Sequence, residues 1–151
     1  MKAIVHIKYE PQTGTAQFVV ADPETKKCAI IDSVLDYDIS TGEFTSKSAK
    51  ELIEILQQHN YELEWILDTH IHADHVTASS YLKHRFPTAK IGISSVVQDV
   101  RRTFAAAYNQ NPDDPTPFWD HFFDNNDKFS KSLLKTSFFP LETSSSSFDR
   151  F

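Results

Sequence analysis

Three histidines and an aspartate crowd into six residues of this chain, His70-Ile71-His72-Ala73-Asp74-His75, directly after the apolar run Leu63-Glu64-Trp65-Ile66-Leu67. No other feature restricts the fold as much. A strand ending in such a cluster puts polar side chains at a sheet edge, where layered α/β folds hold ligands. His70, His72 and Asp74 stand at alternate positions, so in an extended segment they project to one side. His75 departs as the chain bends into the next element. Neutral imidazoles and a carboxylate suit Zn(II), Fe(II) or Mn(II). With Cys28 as its one cysteine, the chain lacks the clustered thiolates of a structural zinc finger. A chance grouping of histidines on a solvated loop is the competing reading, and the position directly after a strand weighs against it.

The remaining sequence supplies a frame for this motif. Its patterning predicts strands over 3–9 and 17–21, joined by a turn around Pro11 and Gly14, and a short buried strand over 28–32 entered from a turn at Asp22-Pro23. A polar loop is expected to about Thr45. Ser48 and Glu51 have capping-box spacing, and Ala49, Leu52, Ile53 and Leu56 follow helical periodicity, which predicts a helix over 48–60 with that stripe on the sheet. Next come a strand over 63–68, a helix over 76–85 stopped by Pro87, a strand over 90–93 and a helix over 95–107. A β-rich start followed by β-α alternation points to α/β or α+β layers.

A length of 151 residues fits one domain. The run Ser144-Ser145-Ser146-Ser147 and the lack of periodicity mark residues 131–151 as a disordered serine-rich tail behind a folded part over 1–130. A net charge of −6 argues against nucleic acid and anionic membrane as partners. No stretch reaches the roughly 20 apolar residues of a membrane span. Lys2, His6 and Lys8 break any apolar run at the start, so it does not read as a signal peptide. The lone cysteine suits a reducing compartment, and the cytoplasm is the expected location, with the mitochondrion left open.

His-x-His-x-Asp-His after an apolar strand resembles the signature of the metallo-β-lactamase superfamily. Ile30-Ile31-Asp32-Ser33-Val34-Leu35-Asp36 and Leu67-Asp68-Thr69-His70-Ile71-His72-Ala73-Asp74-His75-Val76-Thr77 look like its persulfide dioxygenase branch. The glyoxalase II branch shares the histidines but usually follows them with glycines instead of Val76-Thr77-Ala78-Ser79. Tyr9-Glu10-Pro11, Phe18–Asp22, Phe104–Tyr108 and Phe122-Phe123-Asp124 are also similar to the dioxygenase branch. The resemblance implies an α+β fold, the αββα sandwich, of which this chain would be the N-terminal half. It implies Fe(II), or Zn(II) in the hydrolase alternative, with His70, His72, Asp74 and His75 as the metal set and Asp74 also as the catalytic residue. In an iron enzyme only His72 would belong to the two-histidine, one-aspartate triad, while His70, Asp74 and His75 match ligand positions of dinuclear relatives and would orient the site. The implied reaction is oxidation of glutathione persulfide by O₂ to sulfite, with a thiol or persulfide small molecule and O₂ as partners. A Zn-dependent thioester hydrolase is the second reading.

The resemblance is carried by residues 3 to about 129. Beyond about Ser130 the family's second histidine motif, of Gly-His-Thr-Pro-Gly-His type, and its later aspartate have no counterpart. The third expectation is therefore a non-catalytic, truncated chain that holds metal weakly, unless a homodimer supplies the rest. Cys28 reads as a small core residue. His6, His59 and His84 read as surface or packing residues, and His121 as part of an aromatic cluster with Phe118, Trp119, Phe122 and Phe123. Arg101-Arg102 reads as a solvated helix face.

Overall fold

The computed structural model describes residues 2–107, 109–111, 118–124 and 127. The boundary at 130 and the expected tail over 131–151 lie outside them. In chain order the elements are β1 (Ile4–Glu10), β2 (Thr15–Ala21), β3 (Lys27–Ile31), β4 (Val34–Asp38), β5 (Glu43–Thr45), α1 (Lys47–His59), β6 (Glu62–Asp68), β7 (Val76–Thr77), α2 (Ser79–Arg85), β8 (Lys90–Ser94), α3 (Val97–Ala105) and β9 (His121–Phe123). The main sheet has the order β1-β2-β3-β6-β8-β9, and a small sheet has the order β5-β4-β7. The first three strands of the main sheet are antiparallel, and β3, β6, β8 and β9 run parallel. This is the expected α+β class. Among the described residues no helix is long and apolar enough to cross a membrane.

Alternation in β1 and β2 assigns the two faces of the main sheet. His6 and Lys8 lie on the α1 side, where Lys8 pairs with Glu51 at 3.1 Å and the His6 and His59 rings meet at 4.6 Å. Val19 and Ala21 continue that face into a core with Cys28, Ile30, Leu63, Ile66 and Ile91. Onto it the helix stripe Ala49, Leu52, Ile53 and Leu56 packs, all buried as the periodicity predicts. Leu82 of α2 joins the same core. Cys28 is fully buried there, and burial pushes its thiol up to about 12, which leaves it inert as a nucleophile. The opposite face is less covered, with Val5, Ile7 and Tyr9 exposed.

Four local expectations are corrected. The polar loop before Thr45 is a hairpin, β4–β5, in which Tyr37 and Phe44 stack across the strands at 4.8 Å. Its charged residues are turn formers: Asp38 accepts the Ser40 N–H at 2.8 Å and the Ser40 hydroxyl at 2.6 Å. The Ser48–Glu51 capping box does not form. Asp36 reaches over from β4 instead, accepting the Ser48 N–H at 2.9 Å and the Ser48 hydroxyl at 2.6 Å, while Glu51 is taken by Lys8. The helix expected over 76–85 begins only at Ser79, because Val76 and Thr77 pair with Leu35 and Val34. Two β-branched residues favour that extended pairing. The helix expected over 95–107 covers Val97–Ala105.

The aromatic segment forms the edge strand β9, and His121 packs on Trp65 and Phe123 with ring centroids 5.9 and 4.4 Å away. Phe123 also lies over Gly92, where a β-carbon would come within 2.5 Å of its Cε2 and 3.2 Å of Leu67 Cδ2. Glycine is thus required at 92 by close packing. Gly92→Ala is expected to lower stability by about 1–3 kcal/mol, read as a shifted urea midpoint at unchanged slope. Asp36→Ala should cost about 0.5–2 kcal/mol by removing the cap of α1. Ser46→Ala, at the nominal N-cap whose side chain makes no capping bond, should cost much less in the same titration.

Candidate metal centre

Two parallel strands end alike. Ile30-Ile31-Asp32 leaves β3 and Ile66-Leu67-Asp68 ends β6, with Ile31 opposite Leu67. Both aspartates are buried at the same sheet edge. Asp32 takes a left-handed backbone with φ of 54°, and its N–H donates to Leu67 O at 2.9 Å. That turn aims its carboxylate at the loop leaving β6. There it accepts the Thr69 N–H at 2.7 Å, the Thr69 hydroxyl at 2.9 Å and His72 Nε2 at 3.0 Å. Asp68 holds the far end of the loop, accepting the hydroxyls of Thr77 at 2.8 Å and Ser79 at 3.1 Å. The loop carrying the histidines is therefore fixed at both ends by buried carboxylates.

Within it, His72, Asp74 and His75 bring ligand atoms within 4.8 Å of one another. His72 and His75 are the buried members, with side chains 7% and 1% exposed, and Asp74, at 53%, meets solvent. Their rings lie 4.2 Å apart. A second group, Asp32, Asp68 and His72, converges equally closely on the buried side. His72 belongs to both: Nε2 faces Asp32, and Nδ1 lies 3.8 Å from Asp74. His70 stands outside both groups. It is exposed, with its ring 4.3 Å from that of His72 and its Nδ1 2.8 Å from the Thr69 hydroxyl.

The electrostatics follow from this wiring. Burial raises the Asp32 carboxyl, but hydrogen bonds from His72 and Thr69 outweigh it and hold the group below the ordinary carboxylate range. For Asp68 burial prevails over the two hydroxyls and pushes the carboxyl up. Burial lowers His72, and the hydrogen bond and charge of Asp32, with the charges of Asp68 and Asp74, more than reverse this, so its net shift is upward. In the neutral ring, Nε2–H donates to Asp32 and leaves the Nδ1 lone pair toward Asp74.

The donor set fits a metal ion. Two imidazoles and a carboxylate are donors that Zn(II) and Fe(II) both accept. His75 Nε2 supplies the independent observation, since it is buried with no hydrogen-bond partner among the described residues. A buried polar atom left without a partner costs about 1–3 kcal/mol, and a cation would satisfy this nitrogen in the tautomer that leaves it unprotonated.

His70, His72, Asp74 and His75 cluster in sequence, whereas Asp32, Asp68 and Thr15 join the site from outside that cluster and were not expected there. The twin apolar strands ending in aspartate were the signal for Asp32 and Asp68. Thr15, 60 residues before His75, left none, yet its hydroxyl lies 3.3 Å from His75 Nδ1 and 3.4 Å from Asp74 Oδ2. Arg102 pairs with Asp99 at 3.0 Å on an exposed face, as expected of a solvated helix.

Known proteins similar to this chain point to one superfamily. "Glyoxylase B2" of Dictyostelium discoideum is 39% identical over 137 residues, covering 89% of this chain and 47% of that protein. "Persulfide dioxygenase ETHE1, mitochondrial" of Bos taurus is 30% identical over 86 residues, covering 57% of this chain and 30% of that one. Among solved structures, ETHE1 from Myxococcus xanthus aligns with a TM-score of 0.50 at 25% identity, over 59% of this chain and 34% of that chain. A metallo-beta-lactamase from Staphylococcus aureus subsp. aureus COL shares the fold with a TM-score of 0.57 at 17% identity, over 84% of this chain and 31% of that chain. The chain thus spans less than half the length of these proteins. The sequence model of the metallo-beta-lactamase superfamily matches residues 12–145. The chain belongs to the metallo-beta-lactamase superfamily.

Proposed function

We propose that this chain carries the metal-ligating N-terminal part of an enzyme that oxidises glutathione persulfide with O₂, using Fe(II). The observation that carries the metal assignment is the buried His75 Nε2, unpartnered among the described residues, on a histidine that converges with His72 and Asp74. Those three would hold the ion, with His70 as the neighbouring donor at the solvent side. When bound, Fe(II) supplies redox chemistry and open positions for sulfur and oxygen. Asp32 orients His72 and fixes its protonated nitrogen, the role a carboxylate behind a ligating histidine commonly plays. Asp74 is the proposed catalytic side chain, because of the three it alone both faces the cluster and meets solvent.

The branch assignment rests on the residues after the motif. In place of glycines, Val76-Thr77-Ala78-Ser79 provides the two hydroxyls that hold Asp68 and hence the loop. The likeness to the ETHE1 proteins supports the same branch. A Zn-dependent thioester hydrolase of glyoxalase II type is the second reading, favoured by the greater identity to the Dictyostelium protein. In either case the substrate is a small molecule.

Removing the carboxylate behind His72 tests the metal assignment. Asp32→Ala should weaken metal binding by about 10–100-fold, and His75→Ala by more, in competition titrations against a chelating dye. Equal affinity in wild type and His75→Ala would remove the assignment. For the reaction, the chain fused to the C-terminal portion of the Myxococcus xanthus protein should consume O₂ with glutathione persulfide when loaded with Fe(II). His72→Ala in that fusion should abolish the uptake. Cleavage of a glutathione thioester with Zn(II), and no O₂ uptake, would transfer the assignment to the hydrolase.

A further inference from the structure

We infer that Glu10 is a remote positioning residue for His75: through Thr13 and Thr15 it sets the direction of a hydrogen-bond chain that keeps the imidazole proton on Nδ1 and leaves Nε2 as the ligand atom. The inference deepens the proposed metal role of His75 and rests on it. Its basis is a count of hydrogens along a continuous path from the β1–β2 turn to the histidine loop.

Glu10 is buried at the end of β1, and as a carboxylate it can only accept. Oε1 accepts the Gln12 N–H at 2.8 Å, and Oε2 accepts the Thr13 N–H at 2.7 Å and the Thr13 hydroxyl at 2.6 Å. The single hydroxyl hydrogen of Thr13 is thereby committed to Glu10. Thr13 Oγ1 also lies 2.8 Å from Thr15 Oγ1, and with Thr13's hydrogen spent, Thr15 must be the donor in that contact. Thr15 then has only its lone pairs to offer His75 Nδ1 at 3.3 Å, so Nδ1 carries the hydrogen. Asp74 Oδ2 acts in the same sense. It lies 3.4 Å from Nδ1 and, being a carboxylate, can only accept from it. It also lies 3.4 Å from Thr15 Oγ1, which would compete for the Thr15 hydrogen, but the 2.8 Å contact to Thr13 is much the shorter. A neutral imidazole protonated at Nδ1 is unprotonated at Nε2, the atom that is buried without a partner. Polar residues of the β1–β2 turn, the nearest of them 60 positions away in sequence, thus prepare one ligand atom.

The chain can be cut without dismantling the turn, because Glu10 keeps the backbone N–H groups of Gln12 and Thr13 whatever side chain stands at 13. Thr13→Val frees the Thr15 hydrogen to turn toward Asp74 and His75. Thr15→Val removes the nearer of the two acceptors at Nδ1, and Thr15→Ser retains it. The tautomer is read in the metal-free protein by long-range ¹H–¹⁵N correlation on ¹⁵N-histidine-labelled samples, alongside Zn(II) affinity and thermal midpoint. Wild type and Thr15→Ser are expected to show His75 protonated at Nδ1. Thr13→Val and Thr15→Val should shift population to the Nε2–H form and bind Zn(II) about 10–100-fold more weakly, at little change in midpoint. An Nε2–H tautomer in wild type, or one unchanged by both valine variants, would overturn the inference. A wild-type chain with the Nδ1–H tautomer that binds no metal would contradict the proposed function and leave the relay standing.

Discussion

The site depends on one buried carboxylate. Asp32 gathers the Thr69 N–H, the Thr69 hydroxyl and His72 Nε2 at 2.7–3.0 Å, and so ties the end of β3 to the loop after β6. A carboxylate removed from water is costly unless donors replace the lost hydration. Three short donors do so here, and each belongs to the segment that must be oriented. The desolvation of Asp32 and the ordering of the histidine loop are therefore two aspects of one arrangement. Without it, His72 would lose its anchor on the sheet and the loop its fixed start.

The fold is organised so that this arrangement recurs. Parallel pairing of β3 and β6 brings Asp32 and Asp68 to one edge, and the second aspartate secures Thr77 and Ser79 where the chain re-enters regular structure. The small sheet adds a third attachment, with the Ala78 N–H donating to Ser33 O at 2.9 Å. Between these fixed points only the segment over 70–75 is free to present side chains. It presents two buried imidazoles and one half-exposed carboxylate, the donor set of the candidate metal site.

Most of the sheet and the principal helix were legible because their signals are local. Alternation marks β1 and β2, the stripe Ala49, Leu52, Ile53 and Leu56 marks α1, and compact apolar runs mark β3, β6 and β8. What was not legible depends on partners distant in sequence. Ser48 and Glu51 have capping-box spacing, but Asp36 and Lys8 claim them from other strands. Val76 and Thr77 continue a helical pattern, yet β4 offers them a pairing edge. At the site, the clustered histidines announced themselves, whereas Thr15 and Glu10 matter only because the β1–β2 turn folds back over the loop. Asp32 and Asp68 fall between these cases, visible as a repeated strand-end pattern but with no sign of which groups they would hold.

The central claim is that His72, Asp74 and His75 form one metal-binding unit prepared by the surrounding hydrogen bonds. X-ray absorption spectroscopy of the Zn(II)-loaded chain tests it most directly. The account predicts a nitrogen and oxygen shell with multiple scattering from two imidazoles, reduced to one in His75→Ala. A spectrum identical in wild type and His75→Ala, or one dominated by water oxygens, would contradict it.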